Sequence, residues 1–336
     1  MILHEDAEIA RRSEVVQTLD GFVEENLDLL KPVEDSWQPS DFLPDLTLPD
    51  WKEKVDELRE TSRALSNDVL VVLVGDMVTE EALPSYQTWT NRFAGMDDKT
   101  GTDKTGWARW TRGWTAEENR HGDLLNRFLY LMGRVDIRSI EVTIHHLLKN
   151  GFDTRTGDDP YKGFVYTSFQ ERATKISHQN VANLARQQGD PALFKMCSMI
   201  AGDETRHETA YKRFMGRVFK IDPAGAIHAF YDVMKKQVAM PAALMDDGKV
   251  PDLFDKFSAV AQRLGVYTAH DYAAIIDHLV KTWDISVIQG LSGEFARMQD
   301  ALCTMSERYH KLADRMMAKF TKQPIGPFSW IFNESV

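Results

Sequence analysis

A short motif that occurs twice constrains this chain more than any other feature. Residues 117–121 read EENRH and residues 203–207 read DETRH, so both follow the pattern acid-Glu-x-Arg-His. Residues three apart lie on one face of an α-helix, so each copy can present a carboxylate and an imidazole to the same point. Two such helices, packed face to face, would bring together Glu118, His121, Glu204 and His207.

Two further glutamates complete the ligand set of a carboxylate-bridged two-metal site. Such sites in helical bundles use one Glu from each of two additional helices. Glu80 lies 38 residues before Glu118, and Glu171 lies 33 residues before Glu204, so the two halves of the chain match. Four carboxylates and two imidazoles suit iron or manganese, whereas structural zinc favours thiolates and fewer oxygens. We therefore predict an iron site.

The acidic residue that opens each motif has a predicted role of its own. Histidine ligands of metals usually donate their second ring nitrogen to a carboxylate, which fixes the tautomer. We expect Glu117 and Asp203 to bind the histidine of the opposite helix in this way. The alternative is a surface role, because Thr115 to Glu118 also fits a helix-capping box and acid-rich helices usually face solvent. A lone helical glutamate such as Glu80 is also usually exposed, and only the repeat favours the metal site.

The rest of the pattern predicts an all-α protein. From about Ser66 onward, apolar residues recur every three or four positions, without sustained two-residue alternation. Asp190-Pro191 and Asp222-Pro223 are typical helix starts and frame a helix of about 30 residues. Further helices are predicted over residues 66–92, 107–133, 136–150, 159–188, 223–240, 252–266, 270–287 and 291–320.

The sequence pattern predicts two regions in the chain. Residues 66–336 are predicted to form a single ferritin-like helical domain that contains the metal site. Residues 1–65 contain four X-Pro steps and are predicted to form a short helix followed by an extended arm packed on the body.

Composition excludes several functions. A formal net charge of −11 argues against nucleic-acid binding, which depends on basic side chains. No apolar run approaches the roughly 20 residues of a membrane span. Cys197 and Cys303 lie far apart, so neither a disulfide scaffold nor a thiolate metal site is expected, and a reducing compartment fits best. Residues 1–12 are typical of neither a signal peptide nor a transit peptide.

Long strings of the sequence carry a family resemblance. The chain closely resembles the soluble acyl-acyl carrier protein desaturases of plant plastids, of which the stearoyl type is best known. The similarity runs along nearly the whole chain and includes residues 71–77, 79–84, 110–112, 114–123, 166–173, 257–267 and 327–332.

The resemblance implies a homodimer of ferritin-like bundles with two irons per subunit. It assigns bridging carboxylates to Glu118 and Glu204, terminal carboxylates to Glu80 and Glu171, and imidazole ligands to His121 and His207. It also implies that Thr174 lies near the oxygen-binding side and that Trp37, Asp203 and His121 form an electron path to the iron. For Trp37, an equally weighted alternative is that the ring pins the N-terminal arm to the bundle.

The implied activity is O2-dependent desaturation of a saturated acyl chain on acyl carrier protein, with electrons from ferredoxin. We expect the double bond at the Δ9 position of stearoyl-acyl carrier protein. A shorter palmitoyl chain or another bond position is the alternative. The expected location is the plastid stroma, with the bacterial cytoplasm as the less favoured possibility.

Four residues are predicted to shape the substrate pocket. Trp89, Arg92 and Phe93 follow Glu80 at positions where stearoyl enzymes of the family have smaller residues, such as methionine, threonine and leucine. Gly163 is the fourth. The pocket is therefore expected to be shorter or differently shaped, although Arg92 in particular is also compatible with a solvent-facing side chain or an ion pair.

Docking of two acidic protein partners requires local basic residues on this acidic chain. The candidates are Lys212, Arg213, Lys220, Lys235 and Lys236. Ordinary solvated lysines are the alternative for each of them.

Other di-iron proteins compete with this reading. A ribonucleotide reductase radical subunit, an aldehyde-releasing oxygenase and a ferritin-like storage protein use similar ligands. The family-like strings outside the ligands disfavour the first two, and storage subunits are typically shorter. Membrane desaturases need several histidine clusters, whereas His145-His146 is an isolated pair.

Overall fold

The computed structural model describes residues 2–317 and 324–336. Within these ranges the fold is all-α, and the regular pairing outside helices is limited to an isolated bridge between Phe328 and Glu334. The helices are α1 (Ile2–Thr18), α2 (Asp20–Glu24), α3 (Trp51–Ser62), α4 (Asn67–Glu81), α5 (Leu83–Thr90), α6 (Gly106–Met132), α7 (Ile137–Asn150), α8 (Pro160–Gln187), α9 (Pro191–Ile221), α10 (Pro223–Lys236), α11 (Leu253–Leu264), α12 (Ala269–Thr282) and α13 (Gly293–Met317).

Four of these helices form the central bundle. Helix α8 packs along α9, and α4 packs along α6. The two pairs meet through α4 against α8 and α6 against α9. Helices α10, α12 and α13 cover one side of the bundle, and helices α7 and α11 pack against α4. This arrangement confirms the predicted ferritin-like bundle with additional helices.

Aspartate caps set the starts of three consecutive helices. The side chains of Asp159, Asp190 and Asp222 accept backbone N–H groups in the first turn of α8, α9 and α10. A proline follows each aspartate at the first helical position, where a missing N–H costs nothing. The two boundaries predicted at residues 190–191 and 222–223 are thereby confirmed.

Several predicted helices end earlier in the structure. The helix predicted over 66–92 is divided into α4 and α5, because Pro84 in the first turn of α5 cannot donate to a carbonyl of α4. The helix predicted over 223–240 stops at Lys236, where Gln237 takes a positive φ of 62°. The helix predicted over 270–287 ends at Thr282 and is followed by a short 3-10 turn. Positions 318–320 of the last prediction lie outside the described residues.

The N-terminal region contains more helix than predicted. Helix α3 was not anticipated, because its sequence WKEKVDELRETS is mostly charged and only Val55 and Ser62 are buried. Three 3-10 turns connect α2 to α3. The division into residues 1–65 and 66–336 as separate regions stays a prediction.

Two apolar clusters fill the bundle above and below its middle. One contains Val69–Val74 of α4 and the second half of α6, and the other contains the first half of α6 and the second half of α9. Helices α6, α8 and α9 each leave one cluster and enter the other at mid-length. The motif residues lie at that crossing, so the protein buries polar ligands between two dry layers.

A buried carboxylate ties α8, α9 and α12 together. Glu208 is 1% exposed and accepts hydrogen bonds from Arg172 at 3.0 Å and Lys212 at 2.6 Å. The imidazole of His278 lies 3.0 Å away. Burial alone would raise the pKa of Glu208, but the hydrogen bonds from His278 and Lys212 outweigh it and hold the pKa at about 2.

Replacing Glu208 with glutamine is expected to lower the free energy of unfolding at neutral pH by on the order of 2 kcal/mol. The folded-state pKa lies below the ordinary value for glutamate, so this stabilisation is present above about pH 4.5 and is lost as the pH falls toward about 2. Urea unfolding at several pH values measures the difference, with Glu141→Gln on an exposed stretch of α7 as the control. A difference that stays constant down to about pH 2.5 would contradict the assignment.

Candidate metal centre

The six predicted ligands converge at the middle of the bundle. Four helices contribute them, and all six side chains are buried, with at most 8% of any residue exposed. Their ligand atoms form two groups, each with all atoms within 4.8 Å of one another: Glu80, Glu118, His121 and Glu204 in one, and Glu118, Glu171, Glu204 and His207 in the other. Glu118 and Glu204 therefore belong to both groups, while each remaining carboxylate is paired with one imidazole.

Unpartnered donor and acceptor atoms face the centre of this cluster. The Nδ1 atom of His121 lies 3.2 Å from carboxylate oxygens of both Glu118 and Glu204. The Nδ1 atom of His207 lies 2.6 Å from Glu118 and 3.6 Å from Glu171. Neither Nδ1 atom has a well-directed hydrogen bond, and nor does Glu118 Oε1, although all three are buried. Buried polar groups without partners are costly, and metal ions between these atoms would satisfy them.

The opposite nitrogen of each imidazole faces an acid. His207 Nε2 lies 2.9 Å from Glu117, and His121 Nε2 lies 3.5 Å from Asp203. Both contacts cross from one motif helix to the other, which is the pairing that the sequence led us to expect. A carboxylate accepts hydrogen bonds only, so the ring proton belongs on Nε2 and the Nδ1 lone pair is left for a metal.

The electrostatics of the cluster favour added cations. Burial raises the pKa of Glu171 and that of Glu204, and the charge of Glu118 raises both further. Burial acts the same way on Glu118, but His121 and His207 outweigh it and lower its pKa. Burial would lower the pKa of both imidazoles, yet the charge of Glu118 holds both well above their usual range. Metal ions would replace the protons that this crowded cluster otherwise retains.

The terminal glutamates each have a donor that the sequence analysis missed. His178 Nε2 lies 2.8 Å from Glu80 Oε1, and Trp114 Nε1 donates to Glu171 Oε1 at 3.0 Å. His178 lies seven residues after Glu171, two turns along the same helix face. Trp114 lies one turn before Glu118. These spacings were available signals, but neither residue belongs to the repeated motif.

Trp37 connects the N-terminal segment to the cluster. Its Nε1 donates to Asp203 at 2.9 Å, and its ring stacks on His121 with centroids 6.1 Å apart. The guanidinium of Arg120 lies 4.8 Å above the same ring and donates to the backbone carbonyl of Trp37 at 2.8 Å. Trp37 thus both anchors the N-terminal segment and contacts two residues of the predicted electron path.

A narrow cavity of about 70 Å³ opens against the ligands. Thr174 lines it and donates a hydrogen bond to Glu204 Oε2 at 2.7 Å, while its predicted place on the oxygen-binding side stays a prediction. Part of its wall is aromatic, with the ring centroids of Trp89 and Tyr166 5.4 Å apart. The cavity is lined by Thr79, Glu80, Tyr86, Trp89, Trp114, Glu118, Phe152, Tyr166, Thr167, Gln170, Glu171, Thr174, Glu204 and Pro241.

The other three predicted pocket residues do not line this cavity. The side chain of Arg92 is 46% exposed, lies 3.1 Å from Asp158 and binds the carbonyl of Gly157. Its predicted place in the pocket is therefore corrected, because its guanidinium finds an acid at the surface. Phe93 is buried behind Trp89 and packs on Gly163, where a Cβ atom would approach its ring to 2.8 Å. Phe93 and Gly163 support the aromatic wall rather than form it.

Comparison with known proteins decides the family. The family model described as fatty acid desaturase matches residues 11–332. The chain is 53% identical to the stearoyl-[acyl-carrier-protein] 9-desaturase of Spinacia oleracea, over 96% of this chain and 81% of that protein. The enzyme of the same name from Ricinus communis is 53% identical, over 97% and 83%, and that from Brassica napus is 54% identical, over 97% and 82%. All three carry the description chloroplastic.

The chain belongs to the fatty acid desaturase family. Among solved structures, the Mycobacterium tuberculosis protein DesA2, described as an acyl-ACP desaturase, matches with a TM-score of 0.54 and 19% identity, covering 82% of this chain and 97% of that one. That likeness supports the fold of this desaturase. Across the described residues, no helix combines the length and apolar character needed to cross a membrane.

Proposed function

We propose that this desaturase introduces a double bond into a saturated acyl chain carried on acyl carrier protein, at the Δ9 position of the stearoyl chain. The observation that carries the proposal is the pair of ligand groups that share Glu118 and Glu204, buried beside a narrow apolar cavity. The names of the similar plant enzymes support the substrate. A palmitoyl chain or another bond position is the alternative.

We propose iron in both metal positions, two ions per subunit. Glu118 and Glu204 would bridge them, Glu80 and His121 would complete one position, and Glu171 and His207 the other. Oxygen and imidazole donors without thiolates suit iron. When bound, the two irons would supply the O2 reduction and hydrogen abstraction that no amino-acid side chain can perform.

The protein's own contribution is positioning and exclusion of water. The reaction consumes one O2, two electrons and two protons, removes two hydrogens from adjacent carbons and releases two water molecules. A saturated chain offers no polar group for recognition, so the cavity walls must set which carbons lie beside the ligands. Trp89, Phe152 and Tyr166 form a dry wall opposite the carboxylates, and Thr174 places a hydroxyl beside Glu204.

A second cavity is lined by residues next in sequence to one that lines the first. It measures about 230 Å³ and is lined by residues that include Val238, Met240 and Tyr267. The next residue, Pro241, lines the cavity at the ligands, so neighbouring residues of one short segment line the two cavities. The carbonyl of Ala239 in this segment accepts hydrogen bonds from Tyr166 and Gln170. We propose that the acyl chain passes this segment to reach the metal centre.

The electrons would arrive from ferredoxin through Trp37, Asp203 and His121. These three residues are in direct contact, and the neighbouring residues Lys31 and Arg120 line a groove between the N-terminal segment and α6. We also propose that the protein is a homodimer and works in the plastid stroma, in keeping with the chloroplastic description of its relatives.

An aromatic cavity against the ligands favours an oxidase over the alternative of iron storage.

The basic residues proposed for carrier docking differ in whether their side chains already bind another residue. Lys212 binds Glu208, Arg213 binds Asn26, and Lys236 binds Asp232 at 3.0 Å. Lys220 is exposed at the end of α9. Lys235 is exposed, lies over the Tyr231 ring and lines a groove that reaches the second cavity through Gln237. Lys235 is therefore the residue we propose for contact with the acidic carrier.

Replacing Lys235 with glutamate is expected to raise the KM for acyl-carrier substrate about tenfold at low salt, with little change in kcat. The reason is repulsion between the new carboxylate and the acidic carrier, which salt screens. Steady-state kinetics at several salt concentrations measures the effect. Lys104→Glu, with the same charge change in the loop before α6, is the control. Equal KM values for wild type and Lys235→Glu would remove this residue from the docking surface.

Product analysis tests the proposed function directly. Purified protein reconstituted with iron is incubated with O2, reduced ferredoxin and acyl-carrier thioesters of several chain lengths, followed by mass spectrometry of the acyl products. We expect loss of two hydrogens from the acyl chain and a double bond between carbons 9 and 10 of the stearoyl substrate. Iron uptake without any unsaturated product would reject the desaturase and favour storage.

A further inference from the structure

A buried histidine outside the repeated motif contacts the metal centre. His178 on α8 is 1% exposed and is the third imidazole at the centre of the bundle. Its Nε2 lies 2.8 Å from Glu80 Oε1. Because a carboxylate only accepts hydrogen bonds, the ring proton belongs on Nε2. Its Nδ1 is buried toward the Cys197 thiol, a weak hydrogen-bonding group, and has no well-directed hydrogen bond there.

The contact with His178 gives the two carboxylate oxygens of Glu80 different partners. Oε1 is held by His178, and Oε2 is the oxygen that faces the cluster, 3.7 Å from His121 Nδ1. Glu80 therefore offers one oxygen to a metal. Glu171 in the opposite half of the site is arranged in the same way. Its Oε1 accepts a hydrogen bond from Trp114, and its Oε2 faces His207 Nδ1 at 3.6 Å.

The two donors differ in chemistry. The indole of Trp114 donates one hydrogen bond and carries no charge. The imidazole of His178 donates through Nε2 and keeps a second ring nitrogen on the side of Cys197, whereas an indole has no second nitrogen. The two metal positions are otherwise built alike, from one Glu, one His and the shared pair. The two metal positions therefore differ in the residue that donates to their glutamate, which is His178 for Glu80 and Trp114 for Glu171.

We propose that His178 is a positioning residue, which holds Glu80 as a one-oxygen ligand and makes the Glu80–His121 metal position distinct from the Glu171–His207 position. The proposal rests on the proposed two-metal centre. It assigns a role to a residue that the ligand pattern does not contain. Removing such a hydrogen bond typically weakens metal binding by about 10- to 100-fold.

Cobalt titration of the full-length, metal-free protein without oxygen tests the proposal by a readout that does not depend on activity. Co²⁺ absorption follows the two equivalents separately. In His178→Leu, one equivalent is expected to bind about 10- to 100-fold more weakly, while the other is unchanged. His178→Gln, whose amide can donate from nearly the same place as Nε2, is expected to restore binding. The matched variant Trp114→Phe is expected to weaken the other equivalent.

A double-variant comparison assigns the affected position. Glu80→Gln should lose the same equivalent, and adding His178→Leu to it should cause no further loss. Equal weakening of both equivalents, unchanged titration of His178→Leu, or failure of glutamine to restore binding would each overturn the proposal. If circular dichroism shows that the leucine variant is unfolded, His178→Asn replaces it, since its amide is too short to reach Glu80, and the same outcomes apply. A wild type that takes up fewer than two equivalents would instead count against the two-metal centre itself.

Discussion

Replacing Glu118 with glutamine is expected to reduce bound iron from two ions per subunit to fewer than one and to lower desaturation at least about 1,000-fold. Glu118 is one of two carboxylates shared by both ligand groups. The amide keeps the size of the side chain but removes the charge that two metal ions would share. Its loss therefore affects both positions, whereas the loss of Glu80 or Glu171 should affect mainly one.

The folded bundle is expected to survive this change. The side chain lies at the crossing of two apolar clusters, which do not depend on it for packing. Iron analysis after reconstitution, product analysis and circular dichroism provide the measurements, and Glu141→Gln at the exposed surface of α7 is the control. Full iron content in Glu118→Gln would show that the assigned bridging role is wrong.

Replacing Trp89 with leucine is expected to shift the chain-length preference toward longer acyl chains by about tenfold or more in the ratio of kcat/KM values. The indole closes the aromatic wall of the cavity together with Phe152 and Tyr166, with centroid distances of 5.7 and 5.4 Å. At about 70 Å³, this cavity is smaller than the roughly 300–1,000 Å³ of typical ligand sites, so its walls must limit how a chain is bound.

The matched control is Arg92→Met, three residues further along the chain. Because the Arg92 side chain lies at the surface beside Asp158, its loss should leave the preference unchanged. Phe93→Leu should act in the same direction as Trp89→Leu but less strongly, since Phe93 supports Trp89 from behind. Competition assays with palmitoyl and stearoyl thioesters measure all three variants. Identical ratios for the wild type, Trp89→Leu and Phe93→Leu would show that this wall does not select chain length.

The convergence of the six predicted ligands could be foreseen from sequence because their spacing has a geometric meaning. Glu-x-x-His places two donors on one helix face, and its repetition identifies the partner helix. Glu80 and Glu171 followed from the same symmetry, and the structure brings both to the cluster. The contacts of Glu117 and Asp203 with the opposite imidazoles were also expected, because a metal-binding histidine needs an acceptor on its second nitrogen.

The contacts that escaped prediction depend on tertiary geometry. His178 and Trp114 donate to glutamates on other helices, and a single histidine or tryptophan has no spacing that marks such a partner. Arg92 was placed in the pocket because stearoyl enzymes of the family have a smaller residue at its position, but its helix ends at Thr90 and the chain then turns toward Asp158. Helix α3 lacked an apolar pattern and was missed for that reason.

The break between α4 and α5 separates two properties that a continuous helix would have coupled. Glu80 lies at the end of α4, whereas Tyr86 and Trp89 belong to α5, which starts anew at Leu83. The Tyr86 hydroxyl donates to the carbonyl of Thr79 at 2.7 Å and links the two segments. A substitution on α5 can therefore remodel the cavity without rotating the ligand helix. The shape of the cavity wall and the position of Glu80 are thus set by different helices.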